Sequence, residues 1–346
     1  MMDRRTFLGT ATAAGAAASL PHMARAQEVT LRLHQFLSPI STLPAEVLKP
    51  WGERLSAASD GRIEVQHFDS MALGGRPGDL MDQARDGVVD LAMTLVGYTP
   101  GRFPRSEVFE LPFTMRDPVA TSRAFWRMME EDFQASEFAD VKVLAAWVHS
   151  PGVLHSAEPI TRLEDMQGRT LRGPTRIITD LLAELGATPV GMPLPAVPEA
   201  LSKGVIDGTA IPWEVAPTIR LAELLDNHTE FAGPEALYTA TFVLVMNRNA
   251  YAALPDDLRA ILDAESGAGL SARAAATQLA ADAPNRAEAE AMGNTIHRLD
   301  AAETALWKEA AQPVIAAWIA EMEGRGIDGA ALIDRAAELI AEEGAS

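Results

Sequence analysis

Arg62-Ile63-Glu64-Val65-Gln66, a helical segment from about Pro77 to Arg85 stopped by Gly87, and then Val88-Val89-Asp90-Leu91-Ala92-Met93 form the passage that decides the fold class. It reads strand, helix, strand. The preceding Val29-Thr30-Leu31-Arg32-Leu33-His34 alternates apolar and polar residues, which is strand period. Between these strands Pro44 opens a helical pattern with Val47, Leu48, Trp51, Leu55 and Ala58 on one face, closed by Asp60-Gly61. The alternation continues downstream. Asp117-Pro118 caps a helix carrying Ala124, Phe125, Met128 and Met129, and Val141 to Val148 is a near-continuous apolar strand. A second block runs from Thr170-Leu171-Arg172 through a helix from Ile177 to Leu185, ended by Gly186, and Tyr238 to Met246 reads as a further strand. This order predicts an α/β chain with a largely parallel sheet. The tail from about Asp256 is Ala- and Glu-rich and helical, with Pro284 and Pro313 expected to break or kink it.

The break between the two α/β blocks falls near Ser150-Pro151-Gly152. A first half that returns late in the chain joins the halves by more than one crossing. The division expected is residues 27–149 plus about 238–277 in a first lobe, and 150–237 plus about 278–346 in a second. No motif recurs at a period of roughly 20 to 50 residues, so the chain is not a solenoid.

Residues 1–26 read as an export signal. Arg4-Arg5 precede a mild apolar run, Leu8 to Leu20, and Ala24-Arg25-Ala26 supplies small residues for cleavage near Ala26-Gln27. The run is too short for a membrane span, which needs about 20 residues. Arg4-Arg5 with Phe7-Leu8 behind it matches a twin-arginine signal; an ordinary secretory signal would reach the same periplasm by another route.

The formal net charge is -19. The first 26 residues hold three Arg and one Asp, so removing them leaves about -21. Such a balance disfavours nucleic acid and anionic membranes. An anionic ligand would then require positive charge concentrated locally. The chain has no cysteine, which removes thiol catalysis, Fe–S clusters and thiolate-bound zinc. No HExxH, GxxxxGK[ST] or GxSxG pattern occurs, and the histidines show no metal spacing. Gly267-Ala268-Gly269-Leu270-Ser271-Ala272 nearly copies a dinucleotide fingerprint, but the residues before it, Leu258 to Ala264, read as helix where that fingerprint needs a strand. No cofactor, metal site or catalytic residue is expected.

Asp165-Met166-Gln167-Gly168-Arg169-Thr170-Leu171-Arg172-Gly173-Pro174, followed by a helix and Gly186-Ala187-Thr188-Pro189-Val190, resembles the solute-binding proteins of tripartite ATP-independent periplasmic (TRAP) transporters, the DctP type. Three further blocks match in order and spacing: Pro198 to Gly208, Leu73-Gly74-Gly75 through Gly87 to Ala92, and Phe103-Pro104 through Val108 to Phe113. The similarity therefore covers essentially the whole chain after the signal. It implies the two-domain periplasmic binding protein fold, with crossing strands and a long helix linking lobes that close on a small acid. It also implies TRAP membrane subunits as partners, and a receptor that is not itself membrane-embedded.

The resemblance places the carboxylate-gripping arginine on Arg172. Its planar guanidinium matches a carboxylate with two parallel hydrogen bonds. Ile211 stands where sialic-acid-binding relatives carry an Asn, Gly152 where some carry a second arginine, and Leu95 where they carry an acid. His155 lies near enough in sequence to substitute in part for that arginine. Trp213 is expected to wall the pocket. His34, Phe36, Leu95 and Tyr98 follow from strand ends, because clefts in open α/β sheets lie at the carboxyl ends of strands. The backbone N–H groups of Gly74-Gly75-Arg76 are a weaker anion candidate. The missing polar positions argue against a polyhydroxylated sugar acid. The function expected is an exported receptor for a small organic acid, leaning to a monocarboxylate with an apolar or aromatic body, with a C4-dicarboxylate as the other option. A receptor feeding a membrane sensor, or an exported hydrolase or isomerase, are the rival readings.

Overall fold

The computed structural model describes residues 28–345; the expected signal peptide lies outside the described residues. Eleven strands form two sheets among those residues. They are β1 (Val29–Gln35), β2 (Ile63–Phe68), β3 (Leu91–Leu95), β4 (Val141–Val148), β5 (Gly152–Ser156), β6 (Thr170–Gly173), β7 (Thr188–Gly191), β8 (Gly208–Pro212), β9 (Asn227–Phe231), β10 (Thr241–Asn247) and β11 (Thr295–Leu299). The first sheet has the order β2-β1-β3-β10-β4 and the second β11-β9-β5-β8-β6-β7. Chain order thus crosses between sheets after β4, after β9 and again after β10.

The expectation of a largely parallel sheet holds only in part. β1 runs parallel to β2 and β3, and β6 to β7 and β8. β10, however, enters the first sheet antiparallel to both β3 and β4. Having crossed from the other half, it arrives from the opposite end of the sheet. β5 is likewise antiparallel to β8 and β9. The parallel strands point their carboxyl ends at the gap between the sheets. β4 does the same, since it is antiparallel to β10 and so parallel to β3.

Several elements match their sequence signals closely. Val141–Val148 is a strand throughout, buried at all but one position as expected for a central, covered strand. Asp117 caps the helix Pro118–Met128, its carboxylate accepting the Ala120 N–H at 2.6 Å. The strand expected at Val88 instead begins at Leu91. Gly87 adopts φ +74°, and the following residues form a bend. Asp90 is held there by its carboxylate accepting the Arg32 backbone N–H at 2.8 Å.

The two prolines behave differently from expectation and from each other. Pro313 sits in the first turn of the helix Gln312–Gly324, where a missing N–H costs nothing, and so starts a helix. Pro284 lies inside the helix Gly267–Ala291, which continues past it without interruption. Pro284 and Ala280, whose carbonyl loses its donor, are both exposed, so water can satisfy that oxygen. The helix opens with Gly267 to Ala272, which confirms that this glycine pair is not a strand-to-helix phosphate turn.

That helix is the main tie between the sheets. Ser271 Oγ accepts the Ala146 N–H of β4 at 3.0 Å. Two turns further on, Gln278 accepts from the Trp147 indole at 3.0 Å and donates to Glu214 at 2.7 Å. Asn285 then donates to the backbone oxygens of Trp213 and Glu214. No helix among the described residues is long and apolar enough to cross a membrane.

Candidate ligand cleft

A narrow cavity, with about 40 Å³ of room for the centre of a water-sized sphere, lies between the sheets. Phe36, Leu95 and Tyr98 reach it from the first sheet, and Arg172 and Ile211 from the second. These are five of the eight residues singled out in the sequence. β1 and β3 end just before Phe36 and at Leu95, and β6 and β8 end beside Arg172 and Ile211.

Arg172 is 1% exposed. Its Nε donates to the Met192 carbonyl at 2.8 Å and its Nη1 to the Ala210 carbonyl at 3.1 Å. Burial pulls its pKa below the ordinary arginine value, opposed by Tyr98 and Tyr238. Among the described residues no carboxylate acts on it, although most of the other described arginines are in ion pairs. An arginine remains charged in any protein setting, and a buried charge without a counter-charge is costly. Backbone carbonyls orient this guanidinium without neutralising it.

Around it stand three polar aromatic groups. Tyr98 lies close enough to Arg172 to feel its charge, accepts the Leu194 N–H at 2.9 Å, and meets Phe36 edge-on at 5.1 Å. Tyr238 is buried, and its hydroxyl has no hydrogen-bond partner among the described residues. His149 places Nδ1 against the Ser150 carbonyl. A carbonyl can only accept, so Nδ1 carries the hydrogen and Nε2 keeps its lone pair. Burial lowers the His149 pKa to about 4, and the Arg172 charge adds to that. Its ring stands edge-on to Tyr238 at 5.5 Å and to Phe242 at 6.4 Å.

Glu214 is the one acid in the lining. Burial raises its pKa to about 7, with the hydrogen bond from Gln278 opposing. Asp282 lies outside the cavity, receives the Ser150 hydroxyl at 2.8 Å, and is pushed to about 7 by burial, the Glu214 charge adding to the rise.

Three of the eight residues are placed elsewhere. Trp213 faces away because the chain leaves β8 at Pro212 and turns into a 3-10 helix, which presents Glu214 and Val215 to the cavity instead. Its indole donates to Glu230 at 3.0 Å and packs against His155 and His228. His155 donates to the Ile211 carbonyl and contacts the His228 ring behind β8. It does not stand in for an arginine at position 152. The Tyr238 ring fills that space: a Cβ on Gly152 would lie 2.1 Å from Tyr238 Cε1. His34 points from β1 toward the helix Leu80–Arg85, where Nδ1 donates to Gln83 Oε1 at 2.7 Å and Nε2 accepts the Leu73 N–H. Gly74, Gly75 and Arg76 are not part of the cavity lining.

Sequence reasoning missed Tyr238, His149, Glu214 and Phe242. His149 directly follows β4, so the strand-end argument applied to that strand would have found it. Among the described residues no group of three or more His, Cys, Asp or Glu is placed to hold a metal ion.

The geometry agrees with what comparison with known proteins finds. The pattern of bacterial extracellular solute-binding proteins, family 7, matches residues 34–321. A TRAP solute-binding protein from Rhodoferax ferrireducens T118, solved with copurified benzoate, is 49% identical, with a TM-score of 0.89 over 91% of this chain and 98% of that one. A marine-metagenome TRAP solute-binding protein specific for aromatic acid ligands, from an unidentified microbe, was solved with metahydroxyphenylacetate. It is 44% identical, with a TM-score of 0.89 over 91% of this chain and 99% of its own. A TRAP periplasmic solute-binding protein from Bordetella bronchiseptica, with bound (R)- and (S)-mandelate, is 30% identical, with a TM-score of 0.84 over 91% and 99%. The chain belongs to family 7 of the bacterial extracellular solute-binding proteins, the solute receptors of TRAP transporters.

Proposed function

We propose that this protein is an exported receptor that closes on a small aromatic monocarboxylate at Arg172 and delivers it to TRAP membrane subunits. The observation that carries this reading is Arg172 itself: a buried guanidinium with no acidic partner among the described residues, opening on a cavity between two sheets. Phe36, Tyr98, Tyr238 and Phe242 supply flat apolar faces for a ring. Similarity to three receptors solved with benzoate, metahydroxyphenylacetate and mandelate supports the same ligand class.

The mechanism is a shift in population from open to closed when one ligand touches both lobes. We take the first lobe as the sheet containing β1 to β4 and β10, and the second as the other sheet. Tyr98 and Leu194 already bridge them beside the cavity. Export through the signal at residues 1–26, cleaved near Ala26-Gln27, completes the proposal.

A thermal-shift screen of the protein from Gln27 onward against small acids tests it. An acid at 100 times its dissociation constant stabilises by about 2.7 kcal/mol, which raises Tm by roughly 5–10 °C for domains of this size. Benzoate and its relatives should give the largest shifts. A screen in which only sugar acids or C4-dicarboxylates shift Tm would overturn the aromatic assignment.

A further inference from the structure

We propose that Tyr238 is a second carboxylate-receiving group beside Arg172, and that this neutral donor makes the site one for singly charged acids. The inference rests on the cavity being the acid's site and adds what shares the carboxylate with the arginine.

Tyr238 is the one cavity-lining side chain whose buried hydroxyl has no partner among the described residues. Buried phenols normally find one, and leaving the group unmatched destabilises the fold. The hydroxyl sits close enough to Arg172 for each group to affect the other's ionisation. An O–H beside a guanidinium, both without an acceptor for their free hydrogens, suits an oxyanion that takes hydrogen bonds from both. Tyr98 is already anchored through its oxygen, which accepts the Leu194 N–H, although its own O–H also stays free to donate.

Gly152 is what allows the ring to stand there. A Cβ on this residue would meet Tyr238 Cε1, Cζ and Cδ1 at 2.1, 2.3 and 2.5 Å. No residue but glycine leaves the ring where it is.

The charges of the lining set the valence. Arg172 is its only arginine or lysine, and Glu214 its only acid. One carboxylate is matched by Arg172 and Tyr238. The second carboxylate of a dicarboxylate finds no cation in the lining and shares the cavity with Glu214.

The test uses calorimetry on the protein from Gln27 onward and its Tyr238→Phe variant, with benzoate, 3-hydroxybenzoate and succinate, together with Tm of each protein without added acid. The wild type should bind both aromatic acids and prefer them to succinate. Tyr238→Phe should weaken benzoate and 3-hydroxybenzoate alike, by about tenfold or more. Its Tm without acid should be equal or higher, because an unmatched buried hydroxyl has gone. Unchanged affinity in the variant, a loss confined to 3-hydroxybenzoate, or a lowered Tm without acid would each overturn the role of Tyr238 and leave the receptor reading standing. Wild-type protein that prefers succinate, or binds none of the three acids, would overturn both.

Discussion

Arg176 reaches across the cleft to Glu107, its Nε donating to Oε1 at 3.2 Å and its Nη2 to Oε2. Arg176 opens the helix that follows β6 in one sheet, while Glu107 lies in a 3-10 turn after β3 of the other. The Trp318 indole donates to the same carboxylate at 3.3 Å, and Arg176 also pairs with Glu321 at 2.9 Å. Neither Arg176 nor Glu107 lines the cavity. The pair therefore ties the two sheets together without lining the cavity, and on the proposed mechanism it would favour closure.

Glu107→Gln should accordingly weaken ligand binding while leaving the lining intact. A half-buried charge-assisted contact contributes on the order of 1 kcal/mol, or about fivefold in Kd. Stopped-flow measurement should show the change mainly as faster ligand release, because the closed state is what has lost a contact. An unchanged release rate would remove the pair from closure.

Arg172→Ala removes the charge that the cavity is built around. The expected loss is on the order of 100-fold or more in affinity for any monocarboxylate, from about 3 kcal/mol of charge-assisted hydrogen bonding. Circular dichroism should show an intact fold. Calorimetry giving wild-type affinity would mean that the carboxylate binds elsewhere.

Trp213→Phe should leave ligand affinity within about twofold of wild type, because its indole packs on His155 and His228 outside the cavity. Its cost should fall on stability through the lost hydrogen bond to Glu230, about 1 kcal/mol. A large loss of affinity with unchanged Tm would return Trp213 to the pocket wall.

Stability should decline as pH rises from about 6.5 to 8. Glu110, Glu137, Glu214 and Asp282 each have a pKa raised to about 7, in every case chiefly by burial. The folded value exceeds the unfolded one, about 4. Their contribution is thus complete below pH 4 and is lost as pH climbs through 7. His149, lowered to about 4 by burial, acts in the opposite sense. Its contribution approaches completion above about pH 6.5 and is lost as pH falls toward 4. Above pH 6.5 the loss from the four carboxyls outweighs the remaining gain from His149 and the similarly lowered His67, His155 and His228, so Tm should fall there, and Asp282→Asn should flatten the slope. A Tm that rises across that window would contradict the assignment.

The sequence made the strands and the arginine visible, and it misplaced several neighbours for identifiable reasons. Val141–Val148 is apolar at nearly every position, a signal that needs no context. Arg172 was legible because its motif and a strand end coincide. Trp213 was placed on the wrong side because a single turn after Pro212 decides which way each side chain faces. His34 was read as a cleft residue from its strand end and His155 from proximity in sequence, whereas the neighbours that fix them, Gln83 and His228, lie far along the chain. Tyr238 was read only as the start of a strand. Its position depends on the bare backbone of Gly152, a contact that no local pattern encodes.

The rod from Gly267 to Ala291 is pinned to β4 through Ser271 and to the Trp213–Glu214 turn through Asn285. A body nailed at two points along one spine can gape like a book, but it resists sliding or pulling apart. Membrane subunits gripping both covers would then have a single angle to sense, and Gln278, at the crease, is where a change would alter that angle.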